Sequence, residues 1–150
     1  MNEQSSSCEI SNHPAGKPIG SRILRCQPGF RWEGITPEPY KDSAPHHCGV
    51  ERTTLVGGQG EGTAFQMRYI EIAPGGFSSL EHHQHEHAVY VVRGQGTVRL
   101  GSEKFGIRAG DVVYVAPHEV HQFRNPSAGE PLGFICVVDA QRDRPVLVQE

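Results

Sequence analysis

A chain of 150 residues has room for one hydrophobic core and not for two of ordinary size. Eighteen Gly and eleven Pro among short apolar runs favour many strands joined by turns over long helices, so an all-β fold is expected. A formal charge of -3, with acids and bases interspersed, leaves no basic footprint for nucleic acid or an anionic membrane, and no stretch approaches the roughly 18 apolar residues needed to span a bilayer.

Residues 1 to about 19 are polar and rich in Ser and Pro, which reads as a tail. Met1 to Cys8 has neither a basic start nor an apolar run, so no signal peptide is read there and a cytoplasmic location is the default expectation. Cys8, Cys26, Cys48 and Cys136 are too scattered for a disulfide framework, and a reducing compartment suits them. Cys136, inside an apolar run, reads as a small core residue, and Cys48 after His46-His47 as part of a loop rather than of a second metal site. Short strands are predicted over residues 22–26 and near 30–32, followed by the Pro-rich connection Thr36-Pro37-Glu38-Pro39. Residues 1–49 are thus an N-terminal extension, and 50–150 the domain proper.

Residues 50–56 are predicted to be a strand, stopped by the Gly-rich turn at 57–62. A longer strand follows over 63–73, where Phe65, Met67 and Tyr69 alternate with Gln66 and Arg68 before Ile70 and Ile72 bring apolar groups to the other face. Next comes Pro74-Gly75-Gly76, a spacer, and Glu81-His82-His83-Gln84-His85-Glu86-His87, the densest cluster of potential metal ligands in the chain. If 80–83 is extended, Glu81 and His83 point to one face; His87 joins them only if the chain bends through 84–86, because four further strand residues would rise about 13 Å. An alternative frame takes His82 or His85 as ligands. A hairpin at 93–96, strands at 97–100 and 104–107, and a strand from Val112 to Pro117 follow. His121 opens another strand, Asn125-Pro126-Ser127 is a turn, and 131–139 and 146–148 close the domain.

Pro74-Gly75, the 81/83 pair, position 87 and Gly94 resemble the first signature of the cupin family, and Gly110, Pro117, His121 and Asn125 resemble the second. Glu81 stands where that family usually has a His, His87 where it usually has a Glu, and Glu119 near where it usually has a Gly. The resemblance implies a single-barrel cupin, a double-stranded β-helix or jelly roll, with Glu81, His83, His87 and His121 as metal ligands. Three imidazoles and a carboxylate suit a divalent transition metal, one of Fe, Mn, Ni, Zn, Co or Cu. The resemblance also implies a homodimer, with the N-terminal segment crossing to the partner, and a small-molecule substrate or ligand. The leading functional expectation is a metal-dependent oxygenase or dioxygenase; the alternatives are a metal-dependent lyase or isomerase, with Glu81, His82 or His85 as base, and a non-catalytic small-molecule sensor. Gln66 and Arg68, on the strand before the site, are candidates for substrate contact. His13, His46, His47 and His118 are expected to be structural or exposed, and Tyr90, Tyr114 and Phe123 to belong to the core or the pocket wall. With unperturbed imidazoles near pH 6.5, metal-dependent stabilisation is expected to fade between about pH 6.5 and 5.

Overall fold

A computed structural model of the chain describes residues 19–41 and 45–150, so Cys8 and His13 of the expected tail lie outside the described residues. The strands are β1 (Cys26–Gln27), β2 (Arg31–Trp32), β3 (Glu38–Pro39), β4 (Cys48–Val56), β5 (Phe65–Phe77), β6 (Glu81–His82), β7 (His87–Arg93), β8 (Gln95–Leu100), β9 (Glu103–Arg108), β10 (Val112–Val115), β11 (His121–Arg124), β12 (Leu132–Asp139) and β13 (Val146–Leu147). Among the described residues none forms a helix, and so no helix is long and apolar enough to cross a membrane.

All pairings are antiparallel, and they make a jelly roll of two curved layers. One layer runs β3-β4-β5-β12-β7-β10 and the other β9-β8-β11-β6-β13; they join where Phe77, at the end of β5, pairs with Arg124 of β11. β5 can belong to both because it continues through Pro74-Gly75-Gly76 to Phe77, past the point where sequence alone predicts it to stop. Gly75 takes a φ of +77, and at Gly76 a Cβ would meet the carbonyl oxygen of Cys48 at 2.6 Å, so the bend there demands glycine. β4 likewise begins at Cys48, whose predicted loop has become the strand's first rung.

Alternation then fills the space between the layers. On β7 His87, Val89 and Val91 are buried, while Ala88 and Tyr90 face out; on β12 Phe134, Cys136 and Val138 are buried. Phe123 of β11 meets Phe134 with ring centroids 4.7 Å apart. Phe123 and Cys136 join the core as expected, whereas Tyr90 and Tyr114 stand on the outer face of the first layer, 50% and 58% exposed. Asn125 is 1% exposed: its amide donates to the carbonyls of Ile72 and Glu130, and its Oδ1 accepts from the N–H of Ser127. That side chain ties the turn after β11 to β5, a structural task for the last residue of the second motif.

The described part of the N-terminal segment packs on its own barrel. Phe30 stacks on Tyr69 at 5.5 Å and Trp32 leans on the same ring at 5.1 Å, while β3 pairs with β4 through Glu38 and Arg52. Of the strand predicted over 22–26 only Cys26 is extended, paired with Trp32. The Pro-rich connection yields β3 instead, at a sheet edge, where a missing proline N–H costs no ladder bond.

Candidate metal centre

β6, β7 and β11 bring the predicted residues to one place. Glu81 and His83 are buried on one face around β6, and His82 between them is partly exposed on the other. His121 opens β11 directly opposite Glu81, and His87 opens β7 opposite Val115 of β10. The chain does bend through 84–86. Asp143, from the segment after β12, accepts the backbone N–H groups of Gln84 and His85 at 2.8 and 3.0 Å and the His85 ring Nδ1 at 2.8 Å. The backbone N–H of Gln84 leads the contacts that hold the Asp143 carboxyl far below its usual range. His85 is thereby turned away from the centre at Nδ1, while its ring lies flat on that of His83, centroids 3.6 Å apart.

One nitrogen from each of His83, His87 and His121 falls in a single group, all within 4.8 Å of one another, and the Nε2 atoms of His83 and His87 are 2.9 Å apart. The outward contacts fix which nitrogen faces in. The Nδ1 of His83 is 2.6 Å from the carbonyl of His85, and that of His121 is 2.8 Å from the carbonyl of Glu119. A carbonyl oxygen only accepts, so each Nδ1 carries the hydrogen and each neutral ring turns a lone pair inward at Nε2. The third ring sets its Nδ1 3.1 Å from the Cys136 sulfur. The inward lone pairs of His83 and His121 converge beside His87, an arrangement that a cation among them would satisfy. The 2.9 Å separation also matches the edge between two ligands about 2.0–2.1 Å from one ion at a right angle. The donor set therefore fits a divalent transition metal, and an outer partner on each ring is the usual companion of such a site.

Burial keeps these rings neutral. His83 is pulled down to about 4, by burial first and then by the imidazoles of His85 and His121; His87 is lowered by burial and by His121 and His83; His121 is lowered by burial. Neutral imidazole is the form that binds metal.

Glu81 is placed differently from the three rings. Its Oε2 accepts from the Ser79 hydroxyl at 2.8 Å and is ion-paired with Lys41, while Oε1 lies 3.9 Å from Nε2 of His83. Lys41 also donates to the Ser79 hydroxyl at 2.9 Å. Beside them the Tyr40 phenol is pushed up by burial and then by the Glu81 charge, so it keeps its proton. The carboxylate thus offers one oxygen to the centre and spends the other on Lys41. Lys41, Asp143 and the Cys136 sulfur contact belong to no local motif and reach the site only through long-range folding, whereas Ser79 lies two residues before Glu81 in the spacer, where nothing in its residue type marks it.

The family whose model matches, described as Cupin domain, covers residues 68–138. Over 126 residues the chain is 40% identical to 1-methylthio-D-xylulose 5-phosphate methylsulfurylase of Rhodospirillum rubrum, spanning 83% of this chain and 78% of that protein. It is 30% identical over 107 residues to L-ectoine synthase of Wolinella succinogenes, spanning 70% and 78% of the two chains. Among solved structures it superposes on a cupin 2 conserved barrel domain protein of Rhodopseudomonas palustris with a TM-score of 0.77 and 38% identity, covering 85% and 87% of the two chains.

Proposed function

The chain belongs to the cupin family, and on that premise we propose that it is a metal-dependent enzyme acting on a small phosphorylated sugar derivative that bears a methylthio group. The observation that carries this reading is the inward convergence of three neutral imidazoles whose other nitrogens are engaged outside the centre, in a chain similar over four-fifths of its length to a methylsulfurylase of such a compound. A bound divalent ion would supply Lewis acidity towards a carbonyl or hydroxyl oxygen of the substrate. The chain's own residues supply the rest. Glu81 presents Oε1 as fourth ligand or as proton acceptor, Lys41 and Ser79 fix its orientation, and Tyr40 is a protonated neighbour to that group. A carboxylate base beside a Lewis acid is suited to proton and group transfer. Neither relative above is named as an oxygenase.

The test is incubation of metal-loaded protein with 1-methylthio-D-xylulose 5-phosphate, with and without a small thiol as acceptor, in air and under anaerobic conditions, following the methylthio group by mass spectrometry. Turnover is expected to be unchanged without dioxygen and to be lost in His121→Ala. An absolute requirement for dioxygen would restore the oxygenase, and no turnover at all would leave a binding or sensor barrel.

Two further readings accompany this one. Cys26, Cys48 and Cys136 are free, which supports a reducing, cytoplasmic setting. Val112, Tyr114 and Tyr90 stand 73%, 58% and 50% exposed on adjoining outer positions of β10 and β7, an apolar face of the kind a second copy of the chain covers in a homodimer. Sedimentation at micromolar concentration is expected to give a dimer that Tyr90→Asp shifts towards monomer; a monodisperse wild-type monomer would end the proposal.

A further inference from the structure

The inward faces of β4 and β5 carry charge that the metal centre does not use. Arg52 and Thr54 of β4 lie opposite Ile70 and Arg68 of β5, and Gln66 precedes Arg68 by two residues on the same face. A cavity of about 450 Å³ opens here, lined among others by Thr36, Glu38, Arg52, Thr54, Gln66 and Arg142. Arg68 continues the row inward from Gln66, flanked on the sheet by Thr54 and Cys136.

These guanidinium groups are under-compensated. Arg68 is 8% exposed, its Nε has no hydrogen-bond partner, and its one side-chain contact is with the Cys136 sulfur at 3.5 Å, a weak acceptor. Among the described residues no carboxylate lies within ion-pair distance of Arg68 or Arg142. The Nε of Arg52 is also buried without a partner, and its ion pair is with Glu38 at 3.5 Å, a carboxylate that also takes the Thr54 hydroxyl at 3.2 Å. Arg142 donates to the carbonyl of Asp139 at 2.7 Å, and the Asp139 carboxylate is engaged by the N–H of Gln141. Arg142 is held below the usual guanidinium range by burial and by the charges of Arg68 and Arg52, so the three cations act on one another. Like charges brought together around a partly buried cavity are relieved when an anion joins them, and a guanidinium fork matches the paired oxygens of a phosphate. Arg68 is coupled to the centre by contact: the Cys136 sulfur it touches is the one 3.1 Å from Nδ1 of His87.

We propose that this cavity takes the phosphate of the substrate, with Arg52 and Arg142 closing on the phosphate oxygens and Arg68, behind the lining on the same face of the sheet, adding to the positive potential. The assignment rests on the phosphorylated substrate argued above and adds where its phosphate sits.

The experiment is titration of inorganic phosphate into the full-length, metal-loaded protein in a non-phosphate buffer at fixed ionic strength, read by calorimetry and by melting temperature. Saturable binding is expected, weakened about tenfold in Arg142→Gln and in Arg52→Gln, as the loss of one charge-assisted contact implies. Arg99→Gln, whose side chain pairs with Glu150 outside this cavity, is expected to bind like the wild type. Arg68→Gln is the stronger variant, and the two lining variants keep the question decidable if it fails to fold. Absent binding, equal binding in both lining variants and the wild type, or tighter binding of malonate than of phosphate would each overturn the assignment. Phosphate binding with the expected variant losses, but no turnover of the methylthio sugar phosphate, would leave the anion site standing and remove the proposed reaction. Turnover without arginine-dependent phosphate binding would do the reverse.

Discussion

His121→Ala protein is expected to purify with almost no bound transition metal, where the wild type carries close to one ion per chain by elemental analysis. The ring is 4% exposed and its Nδ1 is committed to the Glu119 carbonyl, so its Nε2 is held towards the other two rings. Losing an outer partner of a metal ligand already costs about 10–100-fold in affinity, and losing a ligand itself should cost more. The loss should also appear as stability. A ligand held at about a hundred times its Kd contributes about 2.7 kcal/mol. For a domain of this size that is about 5–10 °C in Tm, a difference the wild type should show between loaded and stripped forms and His121→Ala should not. Glu81→Ala and His82→Ala refine the ligand set. Glu81 is buried with Oε1 towards His83, whereas His82 faces the other side of β6, so Glu81→Ala should lower metal content and His82→Ala should leave it unchanged. Equal losses in those two would remove Glu81 from the ligands, and full metal in His121→Ala would remove the centre itself.

What could be read in advance follows from how local each signal is. The pair at 81 and 83, the bend, and His87 at the head of an apolar strand lie within seven residues, so spacing marks the cluster, while the resemblance to the cupin signature chooses this frame over His82 or His85; His121 enters through a second motif with its own Pro and Asn. The bend's cause was not readable, because Asp143 lies 58 residues from His85 and leaves no periodicity behind. The same holds for Lys41, 40 residues from its partner Glu81. Strand ends were misjudged where backbone geometry overrides propensity. Pro74-Gly75-Gly76 reads as a stop, yet two glycines let β5 bend across to the second layer. Tyr90 and Tyr114 read as core or pocket wall; the period of two keeps both out of the core because His87, Val89 and Val91 claim the inside, and Tyr114 lines a cavity beside His85 and Glu86. Gln66 and Arg68 were candidates for substrate contact from position alone, and the structure sets Gln66 in the wall of the cationic cavity and Arg68 on the same inward face.

Acid should act on the two forms of the protein at different pH, and burial of the rings implies a lower window than unperturbed imidazoles do. In the unfolded chain each His takes its proton near pH 6.5, whereas in the fold His83 waits until about 4 and His87 and His121 are lowered too, chiefly by burial. A folded pKa below the unfolded one means that the unfolded chain binds more protons. The stabilisation is then fully present above about pH 6.5 and is lost as pH falls towards 4, by up to about 1.4 kcal/mol per pH unit for each ring. Metal-free protein should therefore lose Tm steadily from pH 6.5 downwards. The increment contributed by metal behaves otherwise, because it depends on protons competing for the folded site, and those rings stay neutral well below 6.5. The Tm difference between loaded and stripped protein should thus hold nearly constant from pH 7 to about 5 and collapse only as His83 titrates near 4. Melting curves for both forms at half-unit steps from pH 7 to 4 decide it. A difference already halved at pH 5.5 would mean that the folded imidazoles titrate near their ordinary value, and that burial does not hold the triad ready for metal in the way the structure implies.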